Sequence, residues 1–135
     1  MATILITGGL GTVGAGLFQE LTTRKHHVVI CDLYHDAREV GFSVGTDIEV
    51  PLYARCDIGE FRQIERVFER MGPFEYVYNC AAEFGRWNGE DFYETLWHTN
   101  AVGAKNIIRL QEHYQFKLIH FSSSEVYGDW PELMI

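Results

Sequence analysis

Short apolar runs alternate with longer segments of helical periodicity along this chain. Runs rich in β-branched and aromatic residues predict strands. The predicted strands are residues 3–7, 27–31, 50–56, 75–78 and 116–121. Between them, apolar residues recur at helical spacing, which predicts helices. The predicted helices are residues 13–25, 59–71 and 90–114, the last with a bend near Gly103.

The order of these elements predicts the fold class. Strands that alternate with helices pair in parallel through right-handed crossovers. In the first helix, Val13, Leu17 and Leu21 recur every four residues and are expected to face the sheet, whereas residues 36–49 have no clear period and predict a loop. With 135 residues and no repeat or linker, one domain is expected. The sequence therefore predicts a single α/β domain, a Rossmann-like doubly wound parallel sheet of about five strands.

Composition and charge narrow the classes of partner. The chain has 11 basic and 19 acidic residues and a net charge of −8, which disfavours nucleic acid because phosphate backbones require clustered Lys and Arg.

The widely spaced Cys31, Cys56 and Cys80 fit neither a disulfide framework nor a zinc site. We expect small buried residues in a reducing, cytoplasmic setting, with a reactive thiol as the less favoured alternative. We expect no signal peptide, because the first residues, MATILITGG, lack a basic region and a small-residue cleavage site. No apolar run reaches the roughly 18 residues that span a membrane.

A glycine-rich turn separates the first predicted strand from the first predicted helix. Its sequence, TGGLGTVG, contains two overlapping glycine patterns. Such glycines allow a tight turn, close approach of the backbone to a pyrophosphate and close packing of helix on strand, and the helix N-terminus attracts the anion. The predicted cofactor-binding residues here are Gly8, Gly9, Leu10, Gly11, Thr12, Val13 and Gly14. A structural turn without a ligand is the alternative, and a nucleotide-hydrolysing phosphate loop is disfavoured because no Lys-Ser or Lys-Thr follows.

Asp32 ends the second predicted strand, 18 residues after Gly14. A carboxylate there can accept hydrogen bonds from both ribose hydroxyls and would repel a 2′-phosphate, so it predicts NAD rather than NADP. Arg38 lies close enough in the sequence to keep NADP as a less favoured possibility. Without a ligand, Asp32 would be a solvated carboxylate or a helix cap.

Together with the closing SSSEVYG segment, these features resemble the extended short-chain dehydrogenase/reductase family. Within it, the chain looks like the NAD-dependent nucleotide-sugar epimerases, dehydratases and decarboxylases. The matching motifs are residues 7–14, 32, 57–58, 79–82, 100–103 and 122–128, in the family's order. The resemblance implies hydride transfer to and from a carbon of a nucleotide-sugar substrate, with NAD as the cofactor. It also implies a homo-oligomer, commonly a dimer.

The resemblance implies roles for residues that follow the predicted strands. Asp57 and Ile58 would contact the adenine. Ala81 and Ala82 would pass close to the cofactor's ribose and phosphates, with tight packing of sheet and helix as the alternative. Asn100, also assigned to the cofactor site, would use its amide to tie the third helix to the sheet near the active site, either as polar core support or in catalysis.

The serines after the fifth predicted strand are expected in the crevice beyond the strand ends. Ser122 is assigned to the cofactor site. By resemblance, Ser123 matches the catalytic serine or threonine that hydrogen-bonds the sugar oxygen, and Ser124 is the alternative one register step away. Glu125 matches an acid/base carboxylate of several dehydratases and decarboxylases. Without the resemblance, turn-capping serines and a solvated glutamate explain the same residues.

Two features bear on the substrate end of the site. Arg86 and Trp87 would grip a substrate diphosphate and stack on a base or sugar, or belong to an ordinary surface loop. The family's catalytic Tyr-x-x-x-Lys pair has no counterpart among residues 1–135. We therefore expect a shortened form of a longer enzyme, lacking the substrate-binding region, whose fifth strand is an edge that promotes self-association. A stand-alone, catalytically inactive NAD-binding or regulatory module and a reductase of a non-sugar substrate are the alternatives.

Overall fold

The computed structural model describes residues 1–35, 52–85 and 90–128, and its elements follow the predicted order. The strands are β1 (Thr3–Thr7), β2 (His27–Asp32), β3 (Leu52–Arg55), β4 (Tyr76–Asn79) and β5 (Lys117–His120). The helices are α1 (Thr12–Thr23), α2 (Phe61–Met71), α3 (Tyr93–Trp97) and α4 (Ala104–Tyr114), with a π-helical segment (His98–Gly103) before α4 and a 3-10 turn (Ser124–Tyr127) after β5. The predicted loop at 36–49 and the first two residues of the predicted third strand lie outside the described residues.

The described strands form one parallel sheet in the order β3-β2-β1-β4-β5. Central β1 pairs with β2, where Thr3 lies opposite His27, and with β4, where Ile4 lies opposite Tyr76. The chain winds outward from β1 to β3 and then returns to β4, so the winding reverses between β1 and β4. The predicted doubly wound fold is confirmed, and such sheets bind ligands in the crevice at this reversal.

Helices cover both faces of the sheet because successive strand residues point to opposite sides. Ile4 of β1 packs with Phe18 of α1 on one face. Leu5 packs with Ile64 of α2 and Ile107 of α4 on the other, and all three are 0% exposed. Burial on both faces explains why the strands are continuous apolar runs instead of alternating patterns. Each helix in the described ranges is too short or too polar to cross a membrane.

The first turn of α1 differs from the expectation. Leu17 and Leu21 pack against the core, but Val13 is 53% exposed. Gly14 is the buried residue of this turn, and its missing Cβ lets the helix approach the glycine-rich turn. The prediction that Val13 faces the sheet is therefore wrong.

The third predicted helix changes its winding where a bend was expected. The π-helical segment ends at Gly103, which is buried against the turn after β3. A Cβ on Gly103 would lie 2.6 Å from Ile58 Cδ1, so a larger residue would require the Ile58 side chain to move. Because π-helical turns are wider than α-helical ones, the segment alters which residues of the helix face the sheet.

Candidate cofactor site

The glycine-rich turn after β1 is built by contacts that exclude side chains. Gly8 has a positive φ of +66°, and a Cβ there would lie 2.7 Å from the backbone nitrogen of Ala81. A Cβ on Gly14 would lie 2.2 Å from the carbonyl oxygen of Gly8. By contrast, Gly11 is exposed, and the nearest atom to a Cβ there is 3.4 Å away. The turn thus packs tightly against the end of β4 and the start of α1, while Gly11 itself is exposed.

Helix α1 begins directly after Gly11. Gly11 is its N-cap without a side-chain hydrogen bond, and no acidic residue lies in the first turn. Thr12 and Val13 are exposed there. The first N–H groups of a helix lack intrahelical acceptors, and the helix dipole adds partial positive charge. The turn and the helix therefore form an anion site suited to a pyrophosphate.

Asp32, the last residue of β2, is held against the glycine-rich turn. Its Oδ2 accepts a hydrogen bond from the Leu10 N–H at 3.0 Å, and its Oδ1 accepts one from the Leu33 N–H at 2.8 Å. The carboxylate is fixed by two backbone donors, so the interpretation of a freely solvated group does not hold. Each oxygen keeps lone-pair capacity for a further donor, such as a ribose hydroxyl. Arg38 lies outside the described residues.

The turn after β3 presents a carboxylate beside an unused backbone donor. Asp57 Oδ1 accepts a hydrogen bond from the Gly59 N–H at 2.8 Å, and the Asp57 N–H donates to Gln63 Oε1 at 2.8 Å. The buried Asn106 donates from Nδ2 to the Ile58 carbonyl at 2.8 Å. The Ile58 N–H donates to no acceptor in the described part of the chain. Asp57 and Ile58 thus offer an acceptor and a donor side by side.

A hydrogen-bond chain, buried between Thr7 and Asn79, crosses the carboxyl ends of β1, β4 and β5. Thr7 Oγ1 donates to Asn79 Oδ1 at 2.6 Å and accepts from the Ala81 N–H at 3.3 Å. Asn79 Nδ2 in turn lies 3.1 Å from His120 Nδ1. These bonds hold the segment after β4 against the glycine-rich turn. Ala81 both packs on the core and lines the crevice, while the exposed Ala82 lines the crevice.

Asn100 holds the chain segment that leaves β4. Its Oδ1 accepts from the Glu83 N–H and its Nδ2 donates to the Glu83 carbonyl, each at 2.9 Å. The Asn100 side chain is exposed, so polar core support is wrong for it. Asn106, 5% exposed, fills that role through its bond to Ile58. From this helix, Thr99 lines the crevice.

The serines after β5 lie apart from the crevice. Ser122, Ser123, Ser124 and Glu125 are exposed, and none of these four residues lines it. The Ser123 hydroxyl accepts a hydrogen bond from the Glu125 N–H at 3.2 Å and caps the 3-10 turn. This geometry is the turn cap expected without a ligand, and the catalytic roles of these residues stay predictions.

One crevice collects the polar groups at the strand ends. Its volume is about 280 Å³, and its lining includes the glycine-rich turn, Asp32, Asp57, Ile58, Ala81 and Ala82. A larger groove of about 730 Å³ lies beside β3 and α2 and is lined by Arg55, Arg66 and Arg70. The smaller crevice is the candidate cofactor site, because strand ends, a helix N-terminus and fixed polar groups converge there. Arg86 and Trp87 lie outside the described residues.

The three cysteines also line the crevice. Cys31 and Cys56 are 1% and 2% exposed. A hydrogen bond with Cys56, and then burial, hold the pKa of Cys31 well above its ordinary value. Burial raises the pKa of Cys80 to about 11. These two thiols stay protonated at neutral pH, which favours the expected packing role over a reactive thiol.

Several polar residues that hold this site received no role from the sequence. Asn79 ends an apolar strand and Asn106 lies among apolar positions of a helix, and asparagine is disfavoured in both settings. That mismatch is a signal that could have identified them. Gln63 and His98 carry no such signal, because polar residues are ordinary on exposed helix faces.

Comparisons with known proteins identify the family of this chain. The chain matches the NAD dependent epimerase/dehydratase family over residues 4–134. It is 31% identical over 140 residues to UDP-glucuronic acid decarboxylase 1 of Danio rerio, covering 96% of this chain and 29% of that protein. It is 30% identical over 130 residues to dTDP-glucose 4,6-dehydratase of Mycobacterium tuberculosis, covering 93% of this chain and 38% of that protein.

A solved structure has a fold similar to that of this chain. UDP-glucose 4-epimerase of Thermus thermophilus, in complex with NAD, is 28% identical with a TM-score of 0.77. The match covers 96% of this chain and 40% of that one. The chain thus spans between 29% and 40% of the length of these relatives.

Proposed function

Because the chain belongs to the NAD dependent epimerase/dehydratase family, we propose that it binds NAD and serves hydride transfer on a nucleotide sugar. One observation carries this proposal. The glycine-rich turn, exposed at Gly11, faces Asp32, whose carboxylate is fixed by the N–H groups of Leu10 and Leu33. The turn would bind the pyrophosphate, and Asp32 would accept from the hydroxyls of the adenosine ribose.

Charge at Asp32 favours NAD over NADP. A unit negative charge roughly 4 Å from the carboxylate costs about 1 kcal/mol even in bulk water, and more near a protein surface. A 2′-phosphate carries more than one such charge at neutral pH. The carboxylate cannot turn away without losing its bonds from Leu10 and Leu33. NADP would therefore bind more weakly than NAD.

Asp57 and Ile58 match the edge of an adenine. Adenine presents a 6-amino donor beside the N1 acceptor. The Asp57 carboxylate supplies an acceptor and the Ile58 N–H supplies a donor that has no partner in the described part of the chain. Pairing with adenine gives the Ile58 N–H the acceptor that it lacks and uses the remaining lone-pair capacity of the Asp57 carboxylate, which favours adenine over apolar rings of the same size. Asn100, through Glu83, and Ser122 complete the proposed cofactor contacts.

The segment after β5 would act at the sugar end. NAD supplies the acceptor and donor of the hydride when it is bound. Ser123 uses an oxygen lone pair to accept from the Glu125 N–H, so its O–H remains free to donate to the sugar oxygen. Ser124 is the alternative donor. The exposed Glu125 carboxylate would take or return a proton as general acid and base.

The substrate class follows from the relatives and from Glu125. The relatives above act, by their names, on UDP-glucuronic acid, dTDP-glucose and UDP-glucose. These substrates share a sugar linked to a nucleoside diphosphate. A carboxylate at Glu125 favours a reaction with proton transfer to or from the sugar, as in dehydration or decarboxylation. We therefore propose a nucleotide-sugar substrate and leave the base and the sugar unassigned.

Calorimetric titration with NAD and NADP tests the cofactor assignment. We expect NAD to bind at least about tenfold more tightly than NADP, because one fixed carboxylate discriminates between them. Asp32→Asn removes the charge and one set of acceptor lone pairs. This variant should bind NAD more weakly and should prefer NAD over NADP by a smaller factor.

The matched control is Glu69→Gln, which removes one negative charge from the exposed surface of α2. It should leave both affinities unchanged. Circular dichroism establishes that each variant is folded. A folded protein that binds neither dinucleotide would refute the proposed function, and equal affinity for the two would refute the role of Asp32.

A further inference from the structure

The Asp57 carboxylate has a second partner, supplied by the π-helical segment. His98 Nε2 lies 3.3 Å from Asp57 Oδ2 and 3.7 Å from Glu60 Oε1. The other oxygen, Oδ1, accepts from the Gly59 N–H at 2.8 Å. Both oxygens of Asp57 therefore have a fixed neighbour, one from its own turn and one from a helix 41 residues further along the chain.

The position of the His98 ring is built into the packing. A Cβ on Gly59 would lie 2.2 Å from His98 Nε2 and 2.4 Å from its Cδ2. The ring thus rests directly on the Gly59 backbone, in space that any other residue at position 59 would fill. Gly103, five residues after His98, contacts Ile58 of the same turn. Both contacts come from one face because the segment between them is π-helical.

The charges around His98 favour a donating Nε2. Two carboxylates, Asp57 and Glu60, face this nitrogen. An Nε2–H that points toward the two carboxylates is attracted to them whether the ring is neutral or protonated. An Nε2 without a hydrogen would instead place its lone pair against two acceptors. His98 therefore holds Asp57 Oδ2 in one direction, and the rotation of the carboxylate about its last bond is restricted.

We propose that His98 is a positioning residue that orients Asp57 toward the 6-amino group of an adenine nucleotide and thereby makes the crevice selective for adenine over 6-oxopurines. This inference rests on the proposed binding of NAD in the crevice. It assigns to His98 a specificity role that acts through Asp57 and not by contact with the cofactor.

The chemistry of the two bases explains the selectivity. Adenine presents a donor at position 6 and an acceptor at N1, which pair with the Asp57 carboxylate and the Ile58 N–H. Hypoxanthine presents the reverse, an acceptor at position 6 and a donor at N1. A fixed carboxylate then faces an oxygen, and the Ile58 N–H faces another N–H. Without His98, only the Gly59 N–H holds the carboxylate. Its acceptor direction is then less fixed, so it penalises hypoxanthine less and gains less from adenine.

The test compares NAD with its hypoxanthine analogue, nicotinamide hypoxanthine dinucleotide, by calorimetry on the whole chain. We expect the unmodified protein to prefer NAD by about tenfold to a hundredfold, the range for one hydrogen bond to a charged group. His98→Ala should reduce this ratio to within about threefold, mainly through weaker NAD binding. His98→Gln, which can place an amide N–H near the position of Nε2, should retain part of the preference.

Two further variants serve as controls for this test. His113→Ala removes an exposed histidine from α4 and should leave both affinities unchanged. His98→Phe keeps a ring against Gly59 without a donor, so it should lose the preference even if His98→Ala does not fold. Each variant is checked by circular dichroism.

The outcomes separate this inference from the proposed function. If the protein binds NAD and the His98 variants keep the full ratio, the inference fails and the proposed function stands. If the variants weaken both dinucleotides equally, His98 has a structural role and the inference also fails. If the unmodified protein binds neither dinucleotide, the proposed function fails and the inference falls with it.

Discussion

The crevice at the glycine-rich turn and the serine segment, residues 122–128, both lie beyond the carboxyl ends of strands, but they are held differently. At the crevice, polar groups pair with residues far away in the chain, as Thr7 does with Asn79 and Leu10 with Asp32. In the serine segment the side chains are exposed, and the hydrogen bonds of the described structure join residues two or three positions apart. One region is fixed by the whole fold, and the other by its own turn.

This difference separates a preorganised site from a local one. Groups held by distant partners have already lost their conformational freedom during folding, so a ligand that binds them loses little more. Groups in an exposed turn keep that freedom. We therefore expect substitutions at the crevice to change stability and NAD affinity together, and substitutions of Ser123 or Glu125 to change neither strongly.

The largest effect is expected from Gly14→Ala. A Cβ there would lie 2.2 Å from the Gly8 carbonyl oxygen, so α1 must move away from the glycine-rich turn. We expect a loss of about 3 kcal/mol in the free energy of unfolding, in the range of overpacked cores. NAD affinity should fall more than tenfold, because the helix N-terminus and the turn no longer align. Urea denaturation and calorimetry measure the two quantities.

Gly16→Ala is the matched control on the same helix. A Cβ on Gly16 has no atom within 4 Å, so alanine should stabilise α1 by about 0.5–1 kcal/mol. NAD affinity should not change. If the two substitutions change stability and NAD affinity equally, helix propensity, and not the packing of Gly14, determines the effect of alanine in this helix.

An intermediate effect is expected from Thr7→Val, which keeps the side-chain shape but removes the hydroxyl. Asn79 Oδ1 then loses its donor and the Ala81 N–H its acceptor, in a site where Thr7 is 0% exposed. Leaving buried polar groups without partners costs about 1–3 kcal/mol. The exposed Thr23→Val in α1 is the control and should change stability by less than about 0.5 kcal/mol. Urea denaturation measures the free energy of unfolding of both variants. Equal losses in Thr7→Val and Thr23→Val would contradict a preorganised crevice.

The same contrast explains which features the sequence could predict. The sheet, the glycine-rich turn and the place of Asp32 follow from local signals, namely period, turn residues and spacing. Asn100 and Asn106 are the same residue type, six positions apart in one predicted helix. Asn106 is the buried one, because packing around Gly103 and the π-helical segment sets the face that meets the sheet. Contacts between distant residues depend on that packing, so a local pattern cannot assign them.

The smallest effect is expected from Ser123→Ala. In the described structure the hydroxyl caps one exposed 3-10 turn, so its loss should cost less than about 1 kcal/mol. NAD affinity should change less than twofold, because Ser123 is proposed to contact the sugar and not NAD. A larger loss of stability would mean that the serine segment is bonded as deeply as the crevice. A tenfold loss of NAD affinity in Ser123→Ala would instead place the Ser123 hydroxyl among the cofactor contacts and remove the contrast between the two regions.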